Sequence, residues 1–267
     1  MSNPLVRAAR GGARVVSGLA AACHPLPTLL VSALGTALAS GARPPGGGGS
    51  SGTLTASGPP AGPGGGHVGA WAVAVGTGQL VIGWVNDVLD AERDAQVGRT
   101  DKPVATGVVA PRTVWVATAG AALTSLGTGR WMGWPLAVSQ LALVAVPGVA
   151  HSLGMKRTVL SPVPWGVAFG ALPLLSHRAG GGAGWPVRSA VAGAALGVAA
   201  HLGNAARDVD DDRATGQEGL PARLGVRVSH AVAVGLVGVA AVSVRGPVRW
   251  FVGAGAVAVG LVAVRRG

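Results

Sequence analysis

The sequence has no tyrosine, two phenylalanines and one cysteine in 267 residues, and ten acidic residues against twenty-one lysines and arginines. Each scarcity excludes something. The lone Cys23 cannot close an internal disulfide, and in its apolar stretch it reads as a small core residue. Charged residues make up 12% of the chain, whereas soluble domains carry about 25%. Mean hydropathy is +0.49, so the composition is that of a membrane protein. The net charge of +11 is dispersed between apolar runs rather than gathered on one polar domain, which argues against nucleic acid as a partner. With large aromatics scarce and 46 glycines present, helices must touch through small residues. His24, His67, His151, His177, His201 and His230 have no metal-ligand spacing and read as structural or interfacial.

The few acids occupy two places. Asp87, Asp90, Glu92, Asp94 and Asp101 fall in the stretch NDVLDAERDAQVGRTDK at 86–102, and Asp208, Asp210, Asp211, Asp212 and Glu218 form a second cluster. Asn86, Asp90 and Asp94 are spaced i, i+4, i+8, which puts them on one face of a continuing helix. Asn204, Asp208 and Asp212 repeat that spacing. Two such faces offer hard oxygen ligands, which suit Mg²⁺ shared with a substrate's phosphates. Diphosphate chemistry follows. The plainer alternative is a pair of solvated helix ends leaving a membrane. One such cluster would favour it, and the repetition with Asn leading favours the metal.

Apolar runs give eight membrane spans, at about 16–40, 67–85, 113–128, 132–153, 159–175, 184–206, 228–244 and 251–264. The first is interrupted at His24, Pro25 and Pro27, a break that either borders a cavity or only shapes packing. Residues 43–66, rich in Gly, Pro and Ser, read as a flexible loop. Fifteen of the twenty-one lysines and arginines then fall on one side of the membrane. That asymmetry places both termini and both Asp-rich clusters in the cytoplasm, with the chain integral to the cell membrane and in contact with the lipid bilayer. An ion-coupled transporter is the rival from another class, but it expects acids near the bilayer midplane rather than at span ends.

NDVLDAERD followed by GRTDKPVATG resembles the first signature of the UbiA family of intramembrane prenyltransferases, and NAARDVDDDRATGQEGLPARLG resembles the second. The resemblance covers nearly the whole chain. It implies an all-α, polytopic membrane helical bundle around a central cavity, with residues 1–267 as one integral-membrane domain of about eight transmembrane helices and no ninth helix of the family pattern. It implies an enzyme, a transferase of alkyl or aryl groups other than methyl, that moves a prenyl group from an allylic isoprenoid diphosphate donor to an aromatic small-molecule acceptor. Carried over by position, Asn86, Asp87, Asp90 and Asp94 with Asp208, Asp211 and Asp212 hold Mg²⁺. Asp90, Asp94, Asp208 and Asp212 are the catalytic acids, and Asn86, Lys102, Lys156, Arg157 and Asn204 contact the diphosphate. The same motifs accommodate phosphoribosyl transfer to a polyprenyl phosphate. Trp84, about one turn before Asp87, is either an aromatic facing the carbocation or an interfacial belt residue.

Overall fold

The computed structural model describes residues 4–42, 67–206, 209–214, 216 and 218–244, without the side chains of 4–10, 210, 211 and 214. The loop expected at 43–66, the span expected at 251–264, Asp208 and the Asp211 side chain lie outside the described residues. All regular elements among the described residues are helical. In order they are α1 (Pro4–Ala22), α2 (Pro25–Gly41), α3 (Val68–Leu89), α4 (Ala91–Gln96), α5 (Pro111–Gly127), α6 (Gly129–Met132) and α7 (Trp134–Gln140). After a π-helical turn, Leu141–Ala145, come α8 (Val146–Leu153), α9 (Val163–Ala179), α10 (Val187–Ala205), α11 (Val209–Ala214), α12 (Leu220–Leu224) and α13 (Val226–Ser243).

The elements trace the apolar runs, though several of their ends differ, with α1 already helical from Pro4 and α10 starting at Val187. α3 continues to Leu89, four residues beyond the expected end at Val85, because nothing in WVNDVL breaks a helix. α9 starts at Val163 rather than Val159, because Pro162 and Pro164 suit a helix start and not a helix interior. Val68–Leu89, Trp134–Leu153 and Val226–Ser243 are each long and apolar enough to cross a membrane. The pair Gly11–Ala22 and Pro25–Gly41, bent by 66°, makes a fourth if it is one broken span. Among the remaining helices, α5 and α9 have 17 residues each, at the short end of the roughly 17–25 needed to cross. Leu26, Leu29, Leu30, Val116, Leu123 and Val242 are exposed large hydrophobics, as lipid-facing positions require.

α3 is the hub, packed between α2 and α5 and touching α8, while α9, α10 and α13 pack side by side and α2 joins the two groups. Trp71 pins the junction. It is fully buried, and its Nε1 donates to the Gly35 carbonyl of α2 and to Ser176 Oγ of α9, each at 3.1 Å. Small residues set the spacing between helices. Pro173 lacks the N–H that the Phe169 carbonyl would accept, and Gly193 of α10 approaches that carbonyl, where a Cβ would lie 2.2 Å away. The last carbonyls of α13 are capped from α10, with Arg188 Nε and Nη2 donating to Ser243 and Val242 at 3.0 Å.

Candidate active site

The end of α3 and the start of α4 form an almost unbroken helix. Asp90 sits at the junction with φ −93° and ψ −3°. Its N–H reaches the Asn86 carbonyl at 2.9 Å, and the Asp94 N–H reaches the Asp90 carbonyl at 2.8 Å. The face expected from the i, i+4, i+8 spacing is therefore formed, and Asn86 Nδ2 donates to Asp90 Oδ2 at 2.9 Å. Asp87 lies beside it and accepts from the Val104 N–H at 3.3 Å. Glu92 and Asp101 stay outside, both exposed, and the Arg99 guanidinium that grips Asp101 at 2.8 Å holds its carboxyl down at about 2.

Asp87, Asp90 and Asp94 are 1%, 8% and 3% exposed, and carboxylates so buried need compensation. Two lysines supply it. Lys102 Nζ lies 3.3 Å from Asp87 Oδ1, 3.9 Å from Asp94 Oδ2 and 3.2 Å from His24 Nε2. Lys156 pairs with Asp90 Oδ1 from the turn Met155–Arg157. The loop after α4 positions Lys102 by folding back, with the Arg99 N–H on the Asp94 carbonyl at 2.8 Å and Thr106 Oγ1 on the Lys102 carbonyl at 2.8 Å. The compensation is incomplete. Asp87 Oδ1 and Asp94 Oδ2 are buried and lack a hydrogen-bond partner, so each has only the charge of a nearby ammonium. Burial pushes the Asp94 carboxyl above its usual range, and Lys102 acts in the opposite sense.

The second cluster is assembled differently from the spacing alone. α10 ends at Ala205, whose successor Ala206 caps it through the Leu202 carbonyl, and α11 begins at Val209. Asn204 and Asp212 therefore belong to separate elements, with Asn204 exposed at the end of α10. Asp212 nevertheless meets the first cluster. Arg93 Nη2 lies 3.0 Å from Asp212 Oδ1, a pair 119 residues apart in sequence. Arg93 sits inside the motif NDVLDAERD, and nothing in the local spacing signals its distant partner. Arg157 is exposed and makes no side-chain hydrogen bond or ion pair among the described residues, unlike its neighbour Lys156. Among the described residues, no three His, Cys, Asp or Glu side chains converge closely enough to hold a metal ion unaided.

Asn86 also opens onto a cavity of about 320 Å³. Its walls are Cys23, His24, Pro27, Thr28 and Val31 from the α1–α2 bend; Gln79, Ile82 and Gly83 from α3; Val144, Gly148, His151 and Ser152; and Pro164, Trp165, Ala168, Phe169 and Leu172 from α9. The proline break thus borders a cavity. His24 adopts φ 54° and ψ 71°, a left-handed conformation that costs a non-glycine residue about 1–3 kcal/mol and tends to occur at functional sites. Thr28 holds it there, its Oγ1 donating to the Cys23 carbonyl at 2.7 Å. Gly83 lets the bend lie directly on α3, since a Cβ there would sit 2.5 Å from the Cys23 oxygen.

Trp84 is neither a cation-facing aromatic nor a belt residue. It is 8% exposed within a core cluster, and its Nε1 donates to the Leu19 carbonyl at 2.8 Å, so it holds α1 against α3 and lines no part of the cavity. Trp165 and Phe169 are the cavity aromatics, stacked with centroids 6.0 Å apart. The histidines are less scattered than their spacing implied. His24 and His151 line the cavity, and the His201 ring meets His151 edge-on at 5.2 Å.

A family model described as the UbiA prenyltransferase family matches residues 49–266. Among solved structures, a UbiA homolog from Archaeoglobus fulgidus bound to GPP and Mg²⁺ is similar at 16% identity, over 92% of this chain and 85% of that one, with a TM-score of 0.63. The Archaeoglobus fulgidus homolog bound to Cd²⁺ matches at 15% identity over 93% and 89%, with a TM-score of 0.64. A structure of digeranylgeranylglyceryl phosphate synthase matches at 14% identity over 85% and 75%, with a TM-score of 0.62. At such identities the likeness is one of fold. No curated protein matches the sequence. The family model spans most of the chain and ends beyond both acidic clusters: this protein belongs to the UbiA prenyltransferase family.

Proposed function

We propose that the chain, one integral-membrane domain over residues 1–267 with eight spans, transfers a prenyl group from an allylic isoprenoid diphosphate to an aromatic acceptor inside the membrane. The observation that carries this reading is the junction of a carboxylate and lysine cluster with an apolar cavity, which meet at Asn86. The polar end suits a diphosphate, and the cavity suits its hydrocarbon tail and the acceptor.

Mg²⁺ fits the donor set. Asp87 Oδ1 and Asp94 Oδ2 are buried oxygens still lacking a hydrogen bond, and such hard oxygens are what this ion takes. Asn86, Asp87, Asp90 and Asp94 would hold it together with Asp208, Asp211 and Asp212 of the second cluster, and structures of family homologues hold Mg²⁺ with GPP or DMAPP. When bound, the ion neutralises charge on the diphosphate as the allylic C–O bond ionises. Lys102 and Lys156 donate to diphosphate oxygens, which requires each to turn from its carboxylate partners, and Arg157 and Asn204 reach the same group from the rim. The apolar walls keep water from the carbocation, and the Trp165 and Phe169 faces stabilise it.

Purified protein supplied with Mg²⁺ and a panel of allylic diphosphates, with products identified by mass spectrometry, tests the reading. A saturated diphosphate should bind without reacting, because its C–O bond gives no stabilised cation. Equal turnover of saturated and allylic donors would defeat it.

A further inference from the structure

The turn between α1 and α2 is made by a residue poorly suited to it. His24 holds φ 54° and ψ 71°, and among the described residues no other side chain than glycine's hydrogen stands at positive φ. Glycine would adopt this backbone without cost. The chain on either side is fixed, with the Thr28 N–H on the His24 carbonyl at 3.2 Å and the Cys23 carbonyl pressed against Gly83 of α3. A turn alone gives no reason for an imidazole here. Strained residues of this kind persist where a side chain is needed in one place.

The ring supplies that reason. His24 Nε2 lies 3.2 Å from Lys102 Nζ, and this is the one hydrogen bond the Lys102 ammonium makes among the described residues. Asp87 Oδ1 at 3.3 Å and Asp94 Oδ2 at 3.9 Å receive none from it. An ammonium has only protons to give, so Nε2 is the acceptor and the ring is neutral, with its own proton on Nδ1. A neutral ring therefore draws the ammonium's proton away from two carboxylates that would form charge-assisted, stronger bonds with it. His24 and Asn86 line the same cavity, so this contact stands where the carboxylate cluster meets the cavity.

We propose that His24 is a positioning residue for donor binding, its Nε2 holding the Lys102 ammonium turned away from Asp87 and Asp94 so that the remaining protons meet diphosphate oxygens. The inference rests on the prenyl-transfer reading above. Without the ring, Lys102 settles onto the two carboxylates, and a donor must break those pairs before it binds. With the ring, the lysine keeps one partner that carries no charge and does not compete with a diphosphate. The strained turn sets the ring in place, because Thr28 and Gly83 fix the Cys23 carbonyl beside it.

The test measures binding of citronellyl diphosphate, a non-allylic donor that does not react, to the full chain with Mg²⁺ present. His24→Gly removes the ring and suits the backbone, so the variant should melt no lower than the wild type. Its dissociation constant for the diphosphate should rise about tenfold or more, as expected for a lost hydrogen bond to a charged group. In a Lys102→Met background the same substitution should change the constant by less than about twofold, since a residue that acts through Lys102 has nothing left to position. Free imidazole should restore part of the affinity of His24→Gly. An unchanged constant in His24→Gly, or an equal rise with and without Lys102, would overturn the proposal. A lowered melting temperature with an affinity that imidazole does not restore would also overturn it, by making His24 a purely structural residue. Failure of the wild type to bind the diphosphate at all would instead strike the prenyl-transfer reading, and this inference with it.

Discussion

Lys102 concentrates the residue-scale chemistry of the site, since one ammonium serves Asp87, Asp94 and His24. Removing it leaves carboxylates buried without a counter-charge. Lys102→Met should therefore cost about 3 kcal/mol or more, read as a lowered melting temperature, and Mg²⁺ should restore part of the loss by supplying positive charge at the same oxygens. A melting temperature indifferent to Mg²⁺ in this variant would speak against metal at Asp87 and Asp94. Trp84 makes the contrasting case. Trp84→Phe loses the hydrogen bond to Leu19 and should cost about 1 kcal/mol of stability while transfer persists. Its position before the motif was plain in the sequence, but the direction of its side chain was not. Only the packing of α1 on α3 decides that Trp84 faces a core and leaves Trp165 and Phe169 to the cavity. Asn86, Asp90 and Asp94 were legible because helical spacing is local, whereas the Arg93–Asp212 pair required two elements 119 residues apart to meet.

At the scale of elements, close approach decides where helices lie. Gly83→Ala would place a Cβ 2.5 Å from the Cys23 carbonyl, a backbone atom that cannot turn away. The variant should lose about 1–3 kcal/mol and, by lifting the α1–α2 bend from α3, should also impair turnover. Gly120→Ala is the control, because nothing lies within 4 Å of its Cβ position and alanine favours a helix by up to about 1 kcal/mol. Thermal melts that rank the two variants the other way would refute this packing. The proline break before α2 was visible in the sequence and its bordering of a cavity was one of two open readings. The π-helical turn Leu141–Ala145 had no such signal, since it arises where Pro147 withholds the N–H that the Leu143 carbonyl would accept.

For the whole molecule, the charge asymmetry between the two sides predicts topology. A cysteine at Ala95, beside the carboxylates, should react with an impermeant thiol reagent only after cells are permeabilised, whereas one at Ala183, in the exposed turn after α9, should react in intact cells. The reverse pattern would invert the chain in the membrane. Two acidic clusters far apart in sequence gain a common purpose only if they serve one diphosphate, and groups that act as a unit in one transition state show strongly non-additive losses. Arg93 already joins them across 3.0 Å in this structure. The most direct measurement is turnover of an allylic diphosphate with Mg²⁺ by Asp90→Ala, Asp212→Ala and the double variant in one assay. Each single substitution should lower the rate by about a hundredfold or more, with the double variant little slower than either. Near-wild-type turnover in either single variant, or losses that simply multiply, would contradict a shared diphosphate site.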